Sequence, residues 1–189
     1  MLIPPTYLKI VAGCMRHEPL AQRRLYELFA PKMMALCYRY AQHRDEAEDM
    51  LQEGFIKIFQ NIEKYNNQGS LEGWIRRIIV NTAIDIIRHN KALQLVSPLN
   101  DNISENTVDD NIVDTLEVEY LLKIIQDLPD GYRIVFNMFA IEGYSHAEIA
   151  DLLHVNESTS RSQFTRAKAL LKKRIHEDSL VINKYQDAI

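Results

Sequence analysis

Four side chains able to bond base edges or phosphates lie close together late in the chain: Arg161, Ser162, Thr165 and Arg166. From Asn156 to His176 six cations (Arg161, Arg166, Lys168, Lys172, Lys173 and Arg174) face the single acid Glu157, a local charge of +5 on a chain whose net charge is −4. Overall acidity argues against a general nucleic-acid coat, whereas one basic face argues for local phosphate contact. Arg can pair bidentately with guanine in a major groove; Lys172 and Lys173, further along, suit phosphate contact without sequence preference. A second group is the stripe Arg77, Asn81, Asp85 and Arg88, spaced i, i+4, i+8 and i+11. Asn offers both a donor and an acceptor to a base edge, and an ordinary solvated face is the other reading of the same stripe. A third group is acidic: Glu46, Asp49 and Glu53 share one helix face. No nucleophile–base constellation, phosphate-cradling Gly-rich loop or metal cluster appears. Cys14 and His17 have a ligand-like spacing but no second pair completes a zinc site, and HEPLA at His17 lacks the second His of a zinc-hydrolase motif. The chain is expected not to be an enzyme and to need no cofactor or metal.

The late basic group needs a helix to carry it. Ser145 stands three residues before Glu148, the spacing of a capping box, and Ile149, Ala150, Leu152 and Leu153 follow. His154-Val155-Asn156 breaks the pattern, and Asn156 with Glu157 suits a second helix start. Ser160, Phe164, Ala167 and Leu171 then fall on one face, with Arg161, Ser162, Thr165, Arg166 and Lys172 elsewhere. Two helices joined by a tight turn, the second basic and rich in hydroxyls, are what a helix-turn-helix DNA reader needs; an amphipathic hairpin with a solvated basic side fits the same residues. His154 stands where Gly is usual in such a turn, and His tolerates a left-handed backbone better than most residues.

The rest of the chain reads as all-α, with almost no strand-like alternation among its 189 residues. A short helix is expected over residues 6–15. Pro19 is placed to open a second, with Leu20, Leu25, Leu28 and Phe29, and Pro31 a third, with Met33, Met34, Leu36, Cys37 and Tyr40. Asp45 and Glu48 form a capping-box-like pair opening a helix to about Asn61, whose core face is Ala47, Met50, Leu51, Phe55, Ile58 and Phe59. Gly54 inside it costs about 1 kcal/mol against Ala and marks a close helix crossing. Tyr65 to Gly73 is a loop by composition. A long helix from Trp74 to about Asn90 turns Trp74, Ile75, Ile78, Ile79, Ile86 and Ile87 inward, its polar stripe opposite. Helicity resumes near Leu116, is punctuated at Leu128-Pro129, and continues through Tyr132, Val135, Phe136 and Phe139.

Between Lys91 and Lys123 there is no Lys or Arg, while Asp101, Glu105, Asp109, Asp110, Asp114, Glu117 and Glu119 accumulate. A flexible acidic linker over 92–115 therefore divides a first helical domain, residues 1–91, from a second, residues 116–177, with a tail at 178–189. Hydrophobic content of 47% is enough for a core, and no apolar run approaches membrane-spanning length; Ile75–Ile87 is interrupted by Arg76, Arg77, Asn81 and Asp85. The start, MLIPPTYLKI, lacks the basic opening and long apolar region of a signal peptide. Cys14 and Cys37 suit buried thiols in a reducing cytoplasm, without membrane insertion.

Four stretches together resemble bacterial sigma factors of the sigma-70 family, in their small two-domain extracytoplasmic-function group. DEAEDMLQEGFIKIF at Asp45–Phe59 is similar to the core-polymerase-binding helix, and the resemblance implies that role for Asp45, Glu46, Asp49, Gln52 and Glu53. GWIRRIIVNTAIDIIR at Gly73–Arg88 resembles the segment that reads the minus-ten element, implicating Arg77, Asn81, Asp85 and Arg88. LPDGYRIVFNMFAIEGYSHAEIADLL at Leu128–Leu153 and TSRSQFTRAKALLKK at Thr159–Lys173 resemble the helices that read the minus-thirty-five element. That implicates Ser158, Thr159, Arg161, Ser162, Thr165, Arg166 and Lys172. The departures are His154 and Ser160, the latter where the family usually has an apolar residue. The resemblance implies a bacterial cytoplasmic factor that binds core RNA polymerase, directs it to two-element promoter DNA, helps open the duplex, and is masked by an anti-sigma factor. A plain transcription regulator and a protein-binding helical adaptor remain the other classes. Duplex binding without polymerase marks the first; no DNA binding with or without polymerase marks the second.

Overall fold

Helical periodicity is realised in eight α-helices over the residues described by the computed structural model, 5–66, 69–94 and 116–186. They are α1 (Pro5–Met15), α2 (Pro19–Tyr40), α3 (Arg44–Asn61), α4 (Leu71–Gln94), α5 (Leu116–Gln126), α6 (Asp130–Phe136), α7 (His146–Leu153) and α8 (Glu157–Gln186). A 3₁₀ turn, Ile62–Lys64, follows α3, and a π-helical turn, Asn137–Ile141, follows α6. The chain divides into two units, one containing α1–α4 and one containing α5–α8. The expected linker falls almost wholly outside the described residues.

In the first unit α2, α3 and α4 pack on one another and α1 lies against α2. Leu25, Phe29, Met33, Leu36, Tyr40, Met50, Ile58, Ile75 and Ile79 form its core. Contrary to expectation, Pro31 does not open a third helix; α2 runs through it from Pro19 to Tyr40. Proline within a helix costs about 3 kcal/mol, but the turns on both sides bury residues of one core, Leu25 and Phe29 before Pro31 and Met33, Leu36 and Tyr40 after it. That shared burial outweighs the break. Cys14 and Cys37 are free and buried, and burial pushes their thiols up to about 11 and about 12, so both stay protonated and unreactive.

The start of α3 also differs. His43, not Asp45, is the N-cap: the Glu46 amide donates to His43 Nδ1 (3.2 Å) while the Gln42 amide donates to Glu46 Oε2 (2.7 Å). Glu48 instead accepts from Arg44 Nε at 2.8 Å. An imidazole nitrogen can accept just as a serine hydroxyl does, so the capping pattern slides back two residues. Likewise α4 begins at Leu71 rather than Trp74, because Ser70 Oγ accepts from the Gly73 amide at 2.9 Å. Ile75, Ile79 and Ile87 are buried as expected, Trp74, Ile78 and Ile86 half-buried, and Val80, Thr82, Ala83 and Ile84 are buried as well. The buried arc is wide because both α2 and α3 pack on α4.

In the second unit Ile124 and Leu128 pack on Ala167 and Leu171 of α8, flanked by Tyr120, Ile125, Tyr132 and Phe136. Phe139, expected within a continuing α-helix, lies in the π-helical turn. The final helix runs on into the tail segment to Gln186, with Lys173 and Glu177 paired one turn apart at 3.7 Å.

Gly54 meets α4 closely: a Cβ there would collide with Ile79 Cδ1 and stand 3.7 Å from the Ile79 Cα. Gly54→Leu should therefore lower stability by roughly 1–3 kcal/mol in urea unfolding. Shortening Ile79 to Val in that background should cost less than it does in the parent chain. Additive losses would mean that the two helices do not depend on this crossing.

Candidate nucleic-acid interface

Local sequence chemistry builds the α7–α8 pair. The Glu148 amide donates to Ser145 Oγ (3.2 Å) and the Ser145 amide donates to Glu148 Oε2 (2.9 Å), so the expected capping box is present. His154 adopts the left-handed conformation (φ 53°, ψ 47°), and the Val155 amide donates to the Ala150 carbonyl at 3.0 Å, closing α7. Helix α8 starts immediately after Asn156, whose carbonyl accepts from Thr159 and Ser160.

On α8, Ser160, Ala167 and Leu171 are buried and Phe164 half-buried, as their spacing requires. Ser158, Arg161, Ser162, Thr165, Arg166 and Lys172 are exposed and Thr159 is half-buried, so one helix brings all seven expected residues together. Their side chains are not equally available. The Arg161 guanidinium pairs with Glu157, Ser162 Oγ donates to the Thr159 carbonyl (2.9 Å), and Thr165 Oγ1 donates to the Arg161 carbonyl (3.0 Å). Lys168 Nζ sits 4.7 Å over the Phe164 ring, and Arg174 pairs with Asp127 at 3.0 Å. Among the described residues, Arg166 and Lys172 have no ion-pair partner.

The α4 stripe is less uniformly solvated than its sequence suggests. Arg77, Asp85 and Arg88 are exposed, but Asn81 is half-buried and its Oδ1 is enclosed without a hydrogen-bond partner among the described residues. Asp85 reaches across to α3, accepting from Lys57 Nζ at 3.4 Å. Upstream of the stripe, Tyr65 packs on Trp74 with ring centroids 5.4 Å apart, and its hydroxyl donates to the Gly69 carbonyl at 3.1 Å.

A groove between α3 and α4 collects Glu46, Asp49, Gln52 and Glu53 with Asp85 and His89. Asp45 is exposed but does not line it. Ile56 and Ile86 contribute apolar surface there, Ile56 at 49% exposure. Sequence reasoning missed both, together with His43, Lys57 and His89; an isoleucine three residues after Glu53, off the core register, was the available signal. Glu46 has a second task, since the same carboxylate caps α3.

Two family models match, "Sigma-70 region 2" over residues 25–92 and "Sigma-70, region 4" over residues 119–171. The first covers α3 and most of α2 and α4; the second covers α6, α7 and much of α8. The chain is 27% identical over 168 residues to the ECF RNA polymerase sigma factor SigW of Bacillus subtilis, covering 81% of this chain and 88% of that one. It is also 27% identical over 165 residues to the ECF RNA polymerase sigma-E factor of Haemophilus influenzae, covering 80% and 85%. A similar fold occurs in the sigma factor RpoE from Bartonella quintana, solved with the anti-sigma factor NepR, at a TM-score of 0.57 and 18% identity over 82% of this chain and 96% of that one. With both of its conserved regions matched in order, the chain belongs to the sigma-70 family and is an RNA polymerase sigma factor of the extracytoplasmic-function kind, a factor of transcription initiation.

Proposed function

We propose a division of this initiation role among three surfaces. Residues up to about 91 form the domain that meets core polymerase and the downstream, minus-ten element. Residues 116–177 form a helix-turn-helix domain for the upstream, minus-thirty-five element. The acidic segment 92–115 joins them, with 178–189 as a tail. The observation that carries this reading is the state of α8, where Arg166 stands exposed and unpaired in the middle of a row of hydroxyls and cations. An unpaired guanidinium can contact guanine without first breaking an ion pair. The chain acts by binding and carries out no catalysis of its own. It works in the bacterial cytoplasm. One structural neighbour, RpoE, was solved with the anti-sigma factor NepR, and another, CnrH, with the cytosolic domain of CnrY; likeness to RpoE supports an anti-sigma factor for this chain.

Arg161, Ser162, Thr165 and Arg166 face the upstream bases, Ser158 and Thr159 stand at the helix entrance, and Lys172 meets phosphate. Arg166→Ala should weaken binding to the cognate upstream element by roughly 1–3 kcal/mol, and weaken binding to scrambled duplex much less. Equal losses on the two duplexes, measured in competition titrations, would assign Arg166 to the phosphate backbone.

Asp45, Glu46, Asp49, Gln52 and Glu53 form the docking surface for core polymerase, with Ile56 and Ile86 as its apolar component. Reversing Asp49 and Glu53 to Lys leaves the α3 cap and the core untouched. At a charged interface it sets like charges together, so the double variant should lose competition for core polymerase and associate more slowly. A folded variant that competes normally would return these acids to solvent.

Arg77, Asn81, Asp85 and Arg88 serve the melted downstream element, Asn81 by bonding a base edge. Leaving a polar atom enclosed without a partner costs about 1–3 kcal/mol, so Asn81 does little for the fold where it stands. Asn81→Ala should fold, bind polymerase and protect the upstream element in footprints. Permanganate reactivity of unpaired thymines at the downstream element should fall. Undiminished reactivity would make the stripe an ordinary solvated face.

A further inference from the structure

Where a sigma-70 helix carries an apolar residue, this chain carries Ser160, and the structure provides the counterpart. Ser160 is 0% exposed and its Oγ lies 2.9 Å from Nδ1 of His146, which is 9% exposed at the start of α7. The imidazole also stacks on Phe139 (centroids 4.2 Å apart, planes 13° apart) and meets Phe164 of α8 edge-on at 5.8 Å. Phe139 and Phe164 complete the cluster at 4.6 Å. An apolar contact at position 160 would tolerate small rotations of α8 about its axis. A buried hydrogen bond does not, because losing its geometry leaves two polar groups unpaired in an apolar site.

We propose that the Ser160–His146 hydrogen bond sets the rotation of α8 against α7, making both residues positioning residues for DNA reading by α8. The inference rests on the reading of α8 as the upstream-element helix. Arg161 is the next residue after Ser160, and Thr165 and Arg166 lie one to two turns further on. A rotation released at Ser160 therefore displaces all of them from the groove together.

The neutral imidazole is the form the site accepts. Burial, then the positive charge of Arg161, push the His146 pKa below its ordinary 6.5, while Glu157 pulls the other way. Those two groups face it from α8. The π-helical turn Asn137–Ile141 contributes Phe139 and no ionisable side chain, and α7 itself carries Glu148, held by Ser145, and Asp151. With the folded pKa lowered, the contribution of His146 is complete above about pH 6.5 and is lost as pH falls below it.

The test uses the full chain assembled with core polymerase and compares cognate with scrambled upstream duplex at about pH 7.5 and about pH 5.5, a span that crosses the ordinary imidazole range. Ser160→Ala should reduce discrimination roughly tenfold at the higher pH. Parent discrimination should fall on acidification. His146→Phe keeps a ring against Phe139 but cannot titrate, so its discrimination should be reduced and flat between the two pH values. Parent-like discrimination by Ser160→Ala, or a pH slope that persists in His146→Phe, overturns the inference. Arg166→Ala run in parallel separates the two levels: if it loses discrimination while Ser160→Ala does not, α8 reads DNA without this bond. If Arg166→Ala loses none, the reading of α8 falls and the inference falls with it.

Discussion

Close approach of α3 and α4 at Gly54 is the constraint on which the first unit depends. With a hydrogen in place of a side chain, α3 lets Ile79 lie directly on its backbone. Three features of that unit lie on the two helices it brings together. The Lys57–Asp85 pair can span the two helices, the acids of α3 and the side chains of α4 share one groove, and Asn81 is held close enough to the protein for its amide oxygen to be enclosed.

The second unit is small and relies on local devices. Its apolar cluster is short, so caps and rings carry a large share of its definition: the Ser145–Glu148 box, the left-handed His154, the Phe139–His146–Phe164 group, and buried Arg133, which donates to the Gln126 carbonyl and pairs with Asp130 at 2.8 and 2.9 Å. The capping box, the ring group and the Arg133 bonds are each worth on the order of 1 kcal/mol, and they offset the strain of the left-handed His154. Together they fix the ends of α5, α6 and α7 against α8.

Elements with strong local signals were legible in the sequence. The capping box at Ser145, the turn at His154, the buried face of α8 and the crossing at Gly54 each follow from residue type and spacing alone. The misreadings share a cause. Pro31 reads locally as a helix opener, yet a core shared by both halves of α2 decides the outcome. At α3 the cap moved to His43 because imidazole is an uncommon capping group. Asp85 is exposed on the α4 stripe as its spacing requires, and its added contact with Lys57 comes from a neighbouring helix that periodicity cannot report. The tie between Ser160 and His146, fourteen residues apart, is of the same tertiary kind.

The ion pairs of α8 bear on how it holds a polyanion. Arg161, Lys173 and Arg174 are each neutralised by a carboxylate of the same unit. On the proposed reading of α8, a phosphate that recruits one of these cations frees a carboxylate, which takes up a cation from solution, so net ion release is smaller than the count of cations suggests. On the same reading, the affinity of α8 for the upstream element should depend less on salt than its six cations suggest. Tethering raises the effective concentration of a weak module, and a reader of this kind becomes useful once a larger complex already holds it beside the duplex.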